Sequence, residues 1–224
     1  MKAIWLLAKN TYIELIRDRI LYGLLVFAVL LIGFSLVLGQ LSFAEQARIA
    51  TDFGFAAIHL SMVILSIFVG STLVAREMDK KTIYTLLTRP ISRTQFLLGK
   101  SLGLTCITGT VVLGLGIILL VVFWGLQVDI KGEYLIALAG IILESFVLLG
   151  LTIFFGTFAS PIMAVTFSLS LFLIGHWLND LSFFAAQSKL TSFIEFSEWV
   201  RFLLPNLERF NWRAAVTYQD TMKL

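Results

Sequence analysis

The amino-acid sequence predicts an all-α fold, a polytopic membrane helix bundle with five transmembrane helices. Hydrophobic residues make up 58% of the 224 residues and charged residues 14%, and the mean hydropathy is +0.93, which is too apolar for an ordinary soluble domain. Five apolar runs approach or reach the length needed to cross a hydrocarbon core of about 30 Å at about 1.5 Å per residue. The Lys and Arg residues collect on one side of these runs, which is typical of membrane insertion.

Residues 1–19 are predicted to form an amphipathic interfacial helix before the first span. Apolar residues such as Trp5 and Tyr12 recur at helical spacing, and charged residues such as Lys9 and Arg17 occupy the other side. Such a helix is either a charged anchor that sets orientation or a contact for a partner subunit, and the residues leave both interpretations open.

A single domain is predicted over residues 1–224, with the five-span bundle at 20–178. The spans are predicted at 20–39, 53–75, 101–126, 134–159 and 162–178. The third carries several small residues, which let helix backbones approach closely inside a bundle or at a subunit interface: Gly103, Gly109, Gly114 and Gly116. The fifth is short, so its ends need a thinned bilayer or a covering of protein.

The distribution of basic residues predicts a cytoplasmic N-terminus. Ten Lys and Arg fall in the predicted inner segments, against two in the outer loops, Arg48 and Lys131. Five spans then place residues 179–224 outside. Charges interrupt that tail, and each would cost about 2.5–3.5 kcal/mol at the centre of a membrane helix. We therefore predict an outer amphipathic helix over 182–204, ended by Pro205.

Residues 76–100, between the second and third spans, are rich in positive charge. They contain six of the chain's 17 Lys and Arg: Arg76, Lys80, Lys81, Arg89, Arg93 and Lys100. An ordinary solvated connection would explain the charge alone. The capping residues described next favour an ordered surface helix.

Two helix boundaries are encoded in this loop. Asp79 is suited to cap a short helix over 80–88, and Pro90 ends it by removing a backbone donor. Ser92, with Gln95 three residues later, forms a capping-box sequence. The third membrane helix is therefore expected to begin at about Arg93.

Glu144 is the sharpest single candidate for a functional residue. It lies near the middle of the fourth span with no neighbouring charge, and a carboxylate is costly to bury in hydrocarbon. It is therefore expected to face the bundle interior, a water-filled path or a partner group. A lining residue of a transport path, a proton-sensitive hinge and a structural hydrogen bond to a neighbouring Ser or Thr all remain open.

No enzyme site is predicted. The GxxxxGK[ST] phosphate-binding motif is absent from the sequence. His59, His176 and Cys106 are far apart and lack the spacing of metal ligands, so we expect satisfied polar or interfacial residues and no metal site. The basic residues beside apolar runs are explained by topology and lipid headgroups, and they predict contact with membrane lipid and no nucleic-acid partner.

The loop resembles the signature loop of type-two ABC transporter permeases. The string is Glu77-x4-Thr82-x3-Leu86-Leu87-x2-Pro90-Ile91-Ser92-Arg93, closing on Leu98-Gly99-Lys100. Glu144, the segment Leu173-Ile174-Gly175-His176 and the segment Leu204-Pro205-Asn206-Leu207-Glu208 are also similar to that family. The resemblance implies that helix 80–88 is a cytoplasmic coupling helix that docks on an ATPase. The implied coupling residues are Glu77, Asp79, Thr82, Leu86, Leu87, Pro90, Ser92 and Arg93.

The same resemblance implies the rest of the functional assignment. The chain would be the permease subunit of an ATP-driven efflux transporter in the plasma (inner) membrane. Its expected partners are a cytosolic ATP-binding subunit and a second permease copy, with ATP used by the partner and no cofactor in this chain. The resemblance stops before the family's last helix, so a shortened product or a helix supplied from elsewhere is expected. A non-transporting membrane scaffold or assembly factor is the alternative function.

Overall fold

The computed structural model describes residues 2–40, 46–79, 92–128, 132–188 and 190–213, with the backbone alone for 73–79 and 93. Its regular structure is helical throughout these residues, and five of the helices are long and apolar enough to cross a membrane. The helices are α1 (Lys2–Ile16), α2 (Arg19–Gln40), α3 (Gln46–Asp79), α4 (Arg93–Gly125), α5 (Glu133–Gly156), α6 (Pro161–Ser188) and α7 (Thr191–Leu203), followed by a 3₁₀ turn (Leu207–Phe210). The predicted all-α bundle with five candidate spans is confirmed.

The core of the bundle lies around α3. In its apolar window 72% of the residues are buried, against 22% in α2 and 22% in α6. Fully buried aromatic residues link α3 to its neighbours: Phe55 packs against Phe123 of α4 and Tyr134 of α5, with ring centroids 6.4 Å and 5.7 Å away. α3 is therefore the central helix, and α2 and α6 lie at the periphery.

Two predicted boundaries of the early helices shift. The second span was expected to begin at Phe53, but α3 begins at Gln46. Residues 46–52, which were predicted to lie in the loop between the first two spans, are therefore helical. A helix can extend into water beyond the hydrocarbon, because its backbone hydrogen bonds do not depend on hydropathy. The N-terminal helix ends at Ile16, and the Asp18 carboxylate then accepts a hydrogen bond from the Ile20 amide at 3.0 Å, which caps the start of α2.

The prediction for the fifth span and the tail is wrong in its boundaries. The span was expected to end at Leu178, and α6 continues to Ser188, so no short span has to be accommodated. The single helix predicted over 182–204 is divided between the end of α6 and α7, which are separate helices.

α7 returns the chain alongside α6 to the middle of the bundle. A Cβ placed at Gly175 would lie 2.9 Å from Leu207 Cγ and 3.0 Å from the Pro205 carbonyl oxygen. A Cβ at Gly140 of α5 would lie 2.6 Å from the Phe210 carbonyl oxygen. Leu207 is completely buried, so the segment after α7 packs into the bundle and does not simply lie on its surface.

α1 and α4 make the closest extended helix pair near the charged loop. A Cβ at Gly99 would lie 2.6 Å from Leu7 Cβ, and one at Gly103 would lie 2.6 Å from the Ala8 carbonyl oxygen. Gly99 and Gly103 are four residues apart and therefore share one face of α4, which allows the backbones to approach. The close-approach interpretation is confirmed for Gly103 and for Gly116, which meets Leu138 of α5, while Gly109 and Gly114 face open space.

Candidate functional site

Glu144 lies at the centre of the bundle, near the midpoint of α5, and is 2% exposed. Its Oε2 atom is 2.9 Å from Nε2 of His59 on α3, and its Oε1 atom is 3.4 Å from Nε2 of His176 on α6. Both histidines also lie near the middle of their helices. Three helices therefore bring three ionisable side chains together near the middle of the bundle.

One hydrogen bond of His176 determines which of its ring nitrogens carries the proton. Its Nδ1 atom is 3.1 Å from the Phe172 carbonyl oxygen, which only accepts, so Nδ1 carries the proton and donates. In the neutral ring Nε2 is then an electron-pair donor. Glu144 Oε1 and His176 Nε2 are both buried and have no hydrogen-bond partner within the part of the chain that the structure describes.

The His59–Glu144 contact is different, because it is a direct hydrogen bond. At 2.9 Å, one proton is shared between Nε2 of His59 and Oε2 of Glu144. One carboxylate oxygen is thus satisfied, and the other faces a second electron-pair donor. We refer to His59, Glu144 and His176 together as the His–Glu–His cluster.

Apolar side chains pack beside the cluster. Phe172 packs its ring on His176, with centroids 4.5 Å apart, and lies 5.9 Å from the His59 ring. Phe172 in turn packs against a buried group that includes Leu148 and Leu207. This packing limits contact with water, so electrostatic interactions within the cluster are stronger than at a surface.

Two buried serines continue the polar faces of these helices towards the α5–α6 turn. Ser66 lies about two turns beyond His59 on α3, and Ser168 lies about two turns before His176 on α6. Other buried hydroxyls, such as those of Ser61 and Ser145, donate to the carbonyl four residues earlier. The hydroxyls of Ser66 and Ser168 have no partner among the described residues.

The predicted loop residues are only partly visible. Thr82, Leu86, Leu87 and Pro90, with the predicted helix 80–88, lie outside the described residues. Glu77 and Asp79 belong to the last turn of α3, which runs past the predicted end of the second span at Ala75. The capping box is confirmed: Ser92 Oγ accepts from the Gln95 amide at 3.2 Å, the Ser92 amide donates to Gln95 Oε1 at 3.3 Å, and α4 begins at Arg93.

Sequence reasoning found Glu144 but missed its partners. The predicted interior location is confirmed. Its polar neighbours are two histidines, and the structural hydrogen bond to a neighbouring Ser or Thr, one of the alternatives, is not found among the described residues. His176 was not recognised as a partner of Glu144, because a predicted fifth span that ends at Leu178 places His176 near a membrane surface. Position along the helix was the available signal, since each of the three residues lies near the middle of its observed helix.

The chain matches a protein-family model over most of its length. Residues 5–210 match the family model described as ABC-2 family transporter protein. A search of curated proteins finds no significant match. The matched range includes most of α1, all five candidate spans and the segment that carries Leu207.

Proposed function

The chain belongs to the ABC-2 transporter family and is a multi-pass membrane permease component, and from this premise we propose that it couples ATP hydrolysis by a separate subunit to export. The observation that carries the coupling proposal is the close α1–α4 packing directly after the charged loop. A displacement of that loop would move two helices as one unit. The coupling residues proposed in the loop are Glu77, Asp79, Thr82, Leu86, Leu87, Pro90, Ser92 and Arg93.

The start of α4 is fixed by a helix cap and by close packing against α1. The Ser92 capping box fixes the first turn, and the next turns carry Gly99 and Gly103, on which α1 rests. A Cβ added at Gly99 would lie 3.1 Å from the Ile4 carbonyl oxygen, and one at Gly103 would lie 2.6 Å from the Ala8 carbonyl oxygen, so α1 backbone lies close to both glycines. Because packed backbone offers little room to slide, the pair resists independent movement.

Polar contacts add further ties between α1 and α4. Lys100 Nζ is 3.9 Å from the Glu14 carboxylate, and Tyr12 Oη is 3.3 Å from Thr110 Oγ1. Lys100 lies between Gly99 and Gly103, and Thr110 lies about two turns further along α4. They support the proposal that α1 follows α4 when the loop is pushed.

Glu144 is the proposed residue of the translocation path. It combines burial, an ionisable group and a location at half depth, the combination that marks transport paths in membrane proteins. The unpartnered hydroxyls of Ser66 and Ser168 extend this polar character towards the α5–α6 turn. This arrangement favours a transporter over a membrane scaffold, which has no need of a polar centre.

We propose a homodimeric permease with two ATP-binding subunits. The peripheral helices α2 and α6 expose apolar side chains such as Phe34 and Trp177, which fit either lipid or a second copy. The excess of Lys and Arg in 1–19 and 76–100 supports a cytoplasmic N-terminus and loop in a plasma (inner) membrane. ATP would bind the partner subunit, and no cofactor is assigned to this chain.

Co-purification tests the coupling proposal. Leu86→Asp and Glu77→Lys should abolish recovery of the ATP-binding subunit with the permease, because they place charge or reversed charge on the docking surface. Glu133→Lys, in the exposed first turn of α5, is the matched control and should leave recovery unchanged. Membrane insertion of each variant is checked by alkaline extraction. Full ATPase recovery with both loop variants would refute docking through this loop.

A further inference from the structure

We propose that the His–Glu–His cluster binds one divalent transition-metal ion of the zinc class. Nε2 of His59, the Glu144 carboxylate and Nε2 of His176 would be its ligands. Imidazole nitrogen and carboxylate oxygen form the donor set that Zn²⁺, Co²⁺ and related ions prefer, and two histidines with one glutamate leave a fourth position for water or another small ligand.

The distances fit such an ion. Bond lengths of about 2.0–2.1 Å at tetrahedral angles place neighbouring ligand atoms about 3.3 Å apart. Here the two nitrogen-to-carboxylate distances are 2.9 Å and 3.4 Å, and one donor atom from each residue lies within 4.8 Å of the other two. Small side-chain rotations are sufficient to bring all three donors to one ion.

The orphaned donor pair points to a cation. Glu144 Oε1 and His176 Nε2 are 3.4 Å apart, buried, and without a hydrogen bond within the described chain. Two electron pairs facing each other in a low-dielectric interior repel unless a proton or a metal ion lies between them. A metal ion accepts both pairs and also takes the place of the proton in the His59–Glu144 hydrogen bond.

The surroundings of His176 resemble the outer shell of a metal ligand. Its Nδ1–H donates to the Phe172 carbonyl, which fixes the ring orientation and directs Nε2 towards Glu144. Metal-binding histidines almost always hold their second nitrogen in this way. Phe172, which packs on both histidine rings and on the group of Leu148 and Leu207, supplies an apolar wall beside the ion.

The ion would link three helices at one point. α3, α5 and α6 each supply one ligand, so binding would hold them at fixed separation. Coordination through His59 Nε2 requires the ring proton to lie on Nδ1. Because histidine and carboxylate ligands bind metal only in their deprotonated forms, the affinity should rise with pH. This inference does not depend on ATP coupling or on the direction of transport.

Metal titration of the full chain in detergent tests the proposal. The protein is purified without an oligohistidine tag, stripped with chelator, and titrated with Zn²⁺ by calorimetry and with Co²⁺ by visible absorption. Because the chain contains only two histidines, both in the cluster, histidine-dependent binding has one origin. We expect one equivalent per chain and a tetrahedral Co²⁺ spectrum without the charge-transfer band of a thiolate.

Variants assign the ligands. His59→Gln, Glu144→Gln and His176→Gln should each weaken binding at least tenfold. Cys106→Ser removes the only thiol and Glu133→Gln removes an exposed carboxylate of α5, and both should bind like the unmodified chain. The spectrum of the unmodified protein supplies a readout that does not require any variant to fold.

Three outcomes would overturn the site. The first is no Zn²⁺ or Co²⁺ binding by the unmodified chain, which would leave the cluster as a proton-bearing group only. The second is a thiolate band in the Co²⁺ spectrum together with loss of binding in Cys106→Ser. The third is unchanged affinity in both His59→Gln and His176→Gln. Failure of ATPase co-purification leaves each of these results unaffected.

Discussion

Two parts of the bundle, the α1–α4 pair and the His–Glu–His cluster, are assembled by opposite kinds of interaction. The α1–α4 pair is specified by shape, because Gly99 and Gly103 let α1 backbone oxygens approach α4 closely. The cluster is specified by polar groups, with Glu144 between histidines of two other helices. Close packing tolerates few alternative arrangements, whereas hydrogen-bonded and ionisable groups can exchange partners.

The charged loop connects these two regions along the chain. α3 carries His59 and ends at Asp79, and α4 starts at Arg93 and carries the glycine pair. In the coupling proposed above, a push on the loop would reach the α1–α4 pair through α4 and the His–Glu–His cluster through α3.

Removal of Leu207 should have the largest effect on stability, since it breaks the apolar enclosure of the polar centre. Leu207 is fully buried against α6 and the Leu148 group. Leu207→Ala leaves a cavity, and we expect a loss of about 2–5 kcal/mol in the free energy of unfolding. The measurement is thermal or denaturant unfolding of the purified permease in detergent.

Leu203 provides the control, because it is 74% exposed and belongs to the same segment. Leu203→Ala removes the same atoms from a lipid- or solvent-facing position and should change stability little. Equal losses of unfolding free energy for the two variants would show that the segment after α7 does not pack over the cluster.

The second test adds a methyl group to the α1–α4 contact. Gly103→Ala would place Cβ 2.6 Å from the Ala8 carbonyl oxygen, and backbone cannot rotate away as a side chain can. We expect α1 to be displaced and the free energy of unfolding to fall by about 1–3 kcal/mol. The unfolding transition is measured under the same detergent conditions.

Gly109 supplies a control on the same helix. A Cβ there meets no atom within 4 Å, so Gly109→Ala should be neutral or slightly stabilising, since alanine favours helix by up to about 1 kcal/mol. If Gly103→Ala unfolds at the same point as Gly109→Ala, the α1–α4 pair is looser than the packing indicates, and the contrast with the cluster disappears.

The sequence was informative about spans and less so about where helices end. Apolar runs located all five candidate spans, and the Ser92–Gln95 pattern located the start of α4. The end of α6 was missed because Asp180 ends the apolar run without ending the helix. Hydropathy reports the hydrocarbon boundary, while helix ends depend on backbone hydrogen bonds and breaking residues.

The same error concealed most of the candidate site. Glu144 was identifiable on its own, because an isolated carboxylate in an apolar span needs an explanation. His59 and His176 became its partners only through the packing of α3, α5 and α6, which involves contacts between residues far apart in sequence. A search for ionisable residues near the middle of each full helix would have grouped all three.

The smallest expected effect concerns the first turn of α4, which joins the charged loop to the α1–α4 pair. Ser92→Ala removes the hydroxyl that accepts from the Gln95 amide, and loss of such a cap costs typically about 1 kcal/mol. Hydrogen exchange at the Gln95 amide should accelerate by about fivefold, because that free energy equals a roughly fivefold change in an opening equilibrium. Ser101→Ala is the matched control, since its hydroxyl only donates to carbonyls of the preceding turn. Unchanged exchange at Gln95 in Ser92→Ala would mean that α1 packing alone orders the start of α4, and that the loop is joined to the pair by contacts other than the capping box.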